Sequence, residues 1–100
     1  MVLSELQKKV FEYSKARDSL RLSVLRFLIS DLRNREIELR QESKDLTVDE
    51  AVKITQKQMK KRRETIDICE KSGRMDLKEK EQAELQVLEE ILQFISSLSN

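Results

Sequence analysis

Residues 18–32 read Asp18-Ser19-Leu20-Arg21-Leu22-Ser23-Val24-Leu25-Arg26-Phe27-Leu28-Ile29-Ser30-Asp31-Leu32. With Ile37 and Leu39 beyond, the apolar residues wrap more than half of a helix cylinder in its first turns. A helix that is apolar on several sides belongs at the centre of a bundle. Asp18 is placed to cap it. A polar stretch begins after Gln41, so the helix is expected over about 18–41, roughly 35 Å at 1.5 Å per residue.

Three more helices flank this one. Ser4 with Gln7 has the capping-box form, and Leu6, Val10 and Tyr13 share a face, which predicts a helix over about 4–15. Thr47 with Glu50 repeats the capping box and opens a helix over about 47–71. Its inward stripe is Val48, Val52, Thr55, Met59, Arg62, Ile66 and Cys69, a heptad-like seam containing one charge. Gly73 stands where a left-handed C-terminal cap is wanted. Asp76 is expected to cap a fourth helix over about 76–95, with Leu77, Leu85, Leu88, Ile91, Leu92 and Ile95 as its stripe. Ser96 to Asn100 read as a fraying end. Short connections favour antiparallel neighbours. The fold class expected is all-α: an antiparallel four-helix, bundle-like single domain over 1–100.

Composition points the same way. Among 100 residues there is one Gly, no Pro, no His, one Cys and no Trp, which leaves little turn chemistry for a β-protein and little to break helices. With no His and a lone Cys69, the usual ligand sets for zinc, haem and iron–sulfur clusters cannot be assembled, and no metal or cofactor is expected. No Ser–His or Cys–His pair exists for nucleophilic catalysis. One glycine is too few for the Walker phosphate loop or the dinucleotide fingerprint. One cysteine allows no intrachain disulfide, which fits a reducing compartment. An apolar run such as Phe27-Leu28-Ile29 is as long as any, so no membrane span is expected. Met1-Val2-Leu3-Ser4-Glu5 lacks the features of a secretory signal, and the expected location is cytoplasmic. Only 4% of residues are aromatic, which argues against a stacking platform for nucleic acid.

The formal charge is +1, from 20 basic and 19 acidic residues, so any case for an anionic partner must rest on local clustering. Residues 53–63 hold Lys53, Lys57, Lys60, Lys61, Arg62 and Arg63 with no acid. The central helix carries Arg26, Arg33 and Arg40 at seven-residue intervals. The fourth helix is acidic, with Glu79, Glu81, Glu84, Glu89 and Glu90. On one reading the basic third helix lies against the acidic fourth and their charges neutralise each other. On the other, a basic surface tracks phosphates. Composition favours the first, because no net positive charge survives. Yet Lys60-Lys61-Arg62-Arg63 turns through about 300° of helix, so these residues cannot all face one neighbour. Arg62 on the seam either runs its stem along the seam with its head in water, the commoner outcome, or pairs with a carboxylate such as Glu84. Asn34 and Glu36 stand mid-helix, and a hydrogen bond from Asn34 to a neighbouring helix is the preferred role. Cys69 and Met59 read as core.

Certain runs resemble a known family. They are the stretch from Ala16 through Arg26, Asn34-Arg35-Glu36-Ile37-Glu38, Arg62-Arg63-Glu64, Lys71-Ser72-Gly73-Arg74-Met75-Asp76-Leu77, and Lys80 through Glu89. Their order and spacing over about residues 4–90 are similar to the GatB/YqeY family, in particular its small stand-alone YqeY-like proteins. The resemblance implies an all-helical fold with four helices in the N-terminal part. It relates the chain to the C-terminal region of the B subunit of the aspartyl/glutamyl-tRNA amidotransferase, where this domain is associated with tRNA contact and not with the amide chemistry. Stand-alone members carry the label of carbon–nitrogen ligase with glutamine as amido-N-donor by homology. Relatives follow the fourth helix with a proline-bearing segment and a smaller helical subdomain. Ile91-Leu92-Gln93-Phe94-Ile95-Ser96 stands at that place here, so an N-terminal subdomain alone is expected.

The resemblance implies an accessory module that touches tRNA phosphates, with tRNA or a tRNA amidotransferase or synthetase complex as partner. The candidate contacts are Arg21, Arg26, Arg33, Lys60, Lys61, Arg62, Arg63 and Arg74. Asn34, Glu36 and Glu84 are candidate structural polar residues. The alternative is a helical protein–protein or homodimerisation module using Phe11, Phe94 and Ile95. Catalytic residues are not evident: Glu81 and Glu84, spaced i, i+3, are the nearest to a carboxylate pair, and nothing converges on them.

Overall fold

A computed structural model describes residues 1–99 and places four helices in chain order, α1 (Val2–Lys15), α2 (Ser19–Gln41), α3 (Val48–Lys71) and α4 (Met75–Ser97). Asn100, the last of the residues expected to fray, lies outside the described residues, and α4 persists to Ser97. Two helix starts follow the sequence reading. The Asp18 carboxylate accepts the Arg21 backbone N–H at 3.1 Å, and Thr47 Oγ1 accepts that of Glu50 at 3.2 Å. The Glu50 side chain does not close the capping box. It accepts from Arg35 Nε on α2 at 3.3 Å instead.

The other two starts correct the expectation. α1 begins at Val2, and Ser4 lies inside it, its hydroxyl donating to the Met1 carbonyl at 2.9 Å, so there is no Ser4–Gln7 capping box. Val2 and Leu6 are both buried one turn apart, and placing Val2 in the core draws the helix back to it. α4 begins at Met75 with Arg74 at the N-cap position and no side-chain cap. Asp76 falls in the first turn, where its charge still complements the exposed N–H groups.

The three inter-helix turns share one geometry. After α1 the Asp18 N–H donates to the Tyr13 carbonyl at 2.9 Å; after α2, Lys44 donates to Leu39 at 2.9 Å; after α3, Arg74 donates to Cys69 at 2.9 Å. Each is the six-to-one bond of a Schellman ending, around a left-handed residue. Those residues are Arg17 (φ 56°), Ser43 (φ 57°) and Gly73 (φ 74°). Only the third is a glycine, which is why only the third is recognisable from the sequence.

α2 is the element that packs on each of the other three, and α3 and α4 form the closest pair. Facing ion pairs (Arg62 to Glu81 and Glu84, Glu70 to Lys78) show that α3 and α4 run antiparallel. Leu25, Leu28 and Leu32 of α2 meet Leu88, Ile91 and Ile95 of α4 and Val2 and Leu6 of α1 in one core. Met59 and Cys69 are buried as expected. The central helix is nevertheless not apolar all round. Phe27 and Ile37 are 58% and 54% exposed, because α2 and α3 touch along only part of their length and leave one side of α2 open. The apolar strip expected for self-association is not assembled either: Ile95 is in the core, and Phe94 is half-buried under Lys9, whose Nζ lies 4.7 Å from the ring centroid. Phe11 alone of the three is exposed.

Urea denaturation separates these contributions. Leu88→Ala should cost about 2–5 kcal/mol through cavity formation. Gly73→Ala should cost about 1 kcal/mol from backbone conformation alone, since nothing lies within 4 Å of where its Cβ would stand. Phe27→Ala should fall within about 0.5 kcal/mol of wild type, as for other surface changes.

Candidate nucleic-acid interface

α3 turns its charges in several directions, and their partners sort them. Arg62 faces α4, its Nη1 3.1 Å from a carboxylate oxygen of Glu81 and 3.1 Å from one of Glu84, with the three side chains only 13–16% exposed. Arg62 is thus paired and not snorkelled to water. Glu81 and Glu84 share one guanidinium and are not poised as an acid–base pair. Arg63 lies 4.0 Å from Glu89 at the surface. On α2, Arg21 makes a bidentate contact with Glu90, with both N–H···O distances 2.9 Å, and a third bond to Asp18 at 3.0 Å. Hydrogen bonding to Glu90, then to Asp18, holds the Arg21 guanidinium pKa above its ordinary value. The Arg21 backbone N–H, followed by its side chain, holds the Asp18 carboxyl below its own. Arg21 and Arg62 therefore tie α2 and α3 to α4, whereas Arg63 makes only a surface contact at 4.0 Å.

Another group of cations on α2, α3 and the α3–α4 turn has no carboxylate within 4.0 Å among the described residues. Arg26, Arg33, Lys53, Lys57, Lys60, Lys61 and Arg74 all belong to this group and are exposed. Arg26 and Arg33 line a hollow of about 510 Å³ between α1 and α2, with Gln7, Ile29 and Ser30. Lys57 and Lys61 line another of about 410 Å³ between α2 and α3, with Phe27, Asp31 and Ile54. Asn34 lines both, so the two pairs flank one exposed ridge of α2. Asn34 is exposed and makes no side-chain hydrogen bond among the described residues, in place of the tie to a neighbouring helix expected of it. Glu36 accepts from Arg40 on its own helix at 3.0 Å, and Glu84 holds Arg62. Lys60 and Arg74 line neither hollow, and Arg74 sits at the α3–α4 turn.

Other members of this face escaped the sequence reading. Gln58 Nε2 donates to Asp31 Oδ2 at 2.6 Å across the α2–α3 hollow, and Arg35 bridges to Glu50. The Asp31 bond fixes the Gln58 amide so that its Oε1 turns away, buried and without a donor; Arg62 Nε, one turn on, is buried without an acceptor. Phe27 shares its arc of α2 with Asp31, Asn34 and Glu38, at i+4, i+7 and i+11. That polar row was the available sign that Phe27 faces out.

Among the described residues no three His, Cys, Asp or Glu side chains stand together as a metal site, and no helix is long and apolar enough to cross a membrane. The arrangement is that of a small helical module with a partly uncovered basic face. The chain belongs to the YqeY-like family, whose pattern it matches over residues 3–94. It is also similar to an uncharacterized protein of Schizosaccharomyces pombe, with 30% identity over 88 residues, covering 87% of this chain and 68% of that protein.

Two measurements probe the ion pairs. Arg62→Ala should lower stability by about 3–5 kcal/mol, because it strands two mostly buried carboxylates, whereas Arg63→Ala should cost less than about 1 kcal/mol; thermal melts distinguish them. Asp18 has a lowered carboxyl pKa in the folded state. Its contribution is therefore present above the unfolded-state pKa and is lost as pH falls through the folded value. Asp18→Asn, which retains a capping side chain, should flatten the acid limb of stability against pH below about pH 4.

Proposed function

We propose that this chain is an accessory RNA-binding module of the tRNA-dependent amidotransferase kind, positioning tRNA by its phosphates and taking no part in the amide chemistry. The observation that carries this reading is the set of unpaired cations on α2 and α3. α4's acidic face engages Arg21, Arg62 and Arg63, but Arg26, Arg33, Lys57 and Lys61 remain free on either side of Asn34. Membership of the YqeY-like family supports it through the relation to the amidotransferase B subunit. The carboxylates that line the same hollows as Lys57 and Lys61 each have another hydrogen-bond or ion-pair partner, though Asp31's is a neutral amide. Asp31 is bonded to Gln58, Glu38 lies 4.0 Å from Arg35, and Glu81 is held by Arg62. The chain is nearly neutral, but these four cations make no ion pair of their own among the described residues, and phosphate attraction acts over about 10 Å at moderate salt. The alternative, a homodimerisation module, rests on Phe11, 69% exposed.

Affinity for unmodified tRNA measured against salt tests this reading. Log affinity should fall linearly with log salt, and each of Arg26→Ala, Arg33→Ala, Lys57→Ala and Lys61→Ala should reduce the slope by about 1. Absence of binding at low salt, or a slope unmoved by all four together, would overturn it. Concentration-dependent sedimentation abolished by Phe11→Asp would favour the alternative.

A further inference from the structure

Phe27 is the feature that phosphate contact does not explain. It is a large aromatic side chain, 58% exposed, on a helix whose other side supplies the core. It stands where two hollows meet. One, of about 270 Å³, lies between Phe27 and the Arg62–Glu81 pair; the other is the α2–α3 hollow of about 410 Å³. Phe27, Gln58 and Lys61 line both. Arg26 precedes Phe27 in the chain, and Lys57 and Lys61 form the opposite rim, one helical turn apart. An apolar ring beside Lys57 and Lys61, neither of which makes an ion pair among the described residues, complements a ligand with a flat face and a negative backbone. A duplex does not present such a face, because its bases are stacked inside; an unpaired nucleotide does. An acidic peptide would match the charge but has no need of an aromatic ring at the centre.

The low aromatic content speaks against a platform of several rings, but one exposed ring suffices for one base: we infer that Phe27 stacks on a single unpaired nucleobase, with Lys57 and Lys61 holding the phosphates beside it. This rests on the RNA-binding reading above and sharpens it: the ligand is a single-stranded loop or end and not a helical stem. Because every base has a stacking face, the contact tolerates base identity, so the module selects strandedness before sequence.

The test uses the full chain with two RNA probes of equal charge, a single-stranded oligomer carrying 2-aminopurine and a blunt duplex of the same sequence. The variants are Phe27→Leu, Phe27→Trp and, as a distant control, Phe11→Leu, each checked for native helicity. The inference expects tighter binding of the single strand and quenching of 2-aminopurine on binding. Phe27→Leu should lose at least about 5-fold in single-strand affinity and lose the quenching, Phe27→Trp should restore both, and Phe11→Leu should leave both intact. The salt slope should be the same in all three, since no cation is removed. Salt-dependent binding that treats single strand and duplex alike and ignores Phe27→Leu overturns the stacking role and leaves the phosphate reading standing. A loss in Phe27→Leu that Phe27→Trp does not rescue, without quenching, also overturns it. Absence of binding to either probe at low salt overturns both readings.

Discussion

Arg62 lies between Glu81 and Glu84, with one of its nitrogens 3.1 Å from an oxygen of each and all three side chains largely out of water. That contact sets the rotation of α3 against α4. Two carboxylates three residues apart on one helix face repel each other, and a single guanidinium from the facing helix bridges them, offsetting one of the two charges. Once Arg62 points at α4, the 100° step per residue turns Lys61 away from it, and Lys57, one turn earlier, lies beside Lys61. The basic rim of the α2–α3 hollow thus follows from a contact made roughly 100–140° away around the same helix. Arg21 plays the corresponding part on α2: its bidentate bond to Glu90 ties α2 to α4, while Arg26 and Arg33 lie on the side facing away.

The division of cations into engaged and free resolves the conflict between the two charge patterns. A neutral chain with a basic third helix and an acidic fourth suggests full mutual cancellation. Cancellation does occur, but only along the seam, because salt bridges need approach to within a few ångströms and a helix presents less than half its circumference to any one neighbour. No lysine of α3 comes within 4.0 Å of an α4 carboxylate among the described residues, although Lys61 and Glu81 line one hollow.

Much of this architecture was legible. Apolar spacing located all four helices, and Asp18 and Thr47 capped where short polar side chains before an apolar run should cap. Three things were not legible, for distinct reasons. The start of α1 moved because burial of Val2 outweighed the local capping signal of Ser4. Two of the three Schellman turns were invisible because Arg17 and Ser43 adopt the left-handed conformation that glycine would have signalled. The exposure of Phe27 was masked by its place in the run Phe27-Leu28-Ile29, where adjacent apolar residues look alike although they point 100° apart. In the candidate site, the seam location of Arg62 foretold a choice between two outcomes without deciding it. The freedom of Lys57 and Lys61 depended on where α4 stopped covering α3, a tertiary fact.

The core also joins the first described helix to the last. Val2 and Leu6 of α1 share a cluster with Leu88, Ile91 and Ile95 of α4, and Lys9 rests on the ring of Phe94. The chain must therefore close a loop of roughly eighty residues before its interior is complete, at an entropic cost that grows only slowly with length. During synthesis, α1 and α2 emerge with Leu25 and Leu28 still lacking their α4 partners, and these side chains stay uncovered until α4 leaves the ribosome. The fold is short in sequence and local in its turns, yet it is sealed by its most distant contact, so partial chains ending before α4 have helices without an interior.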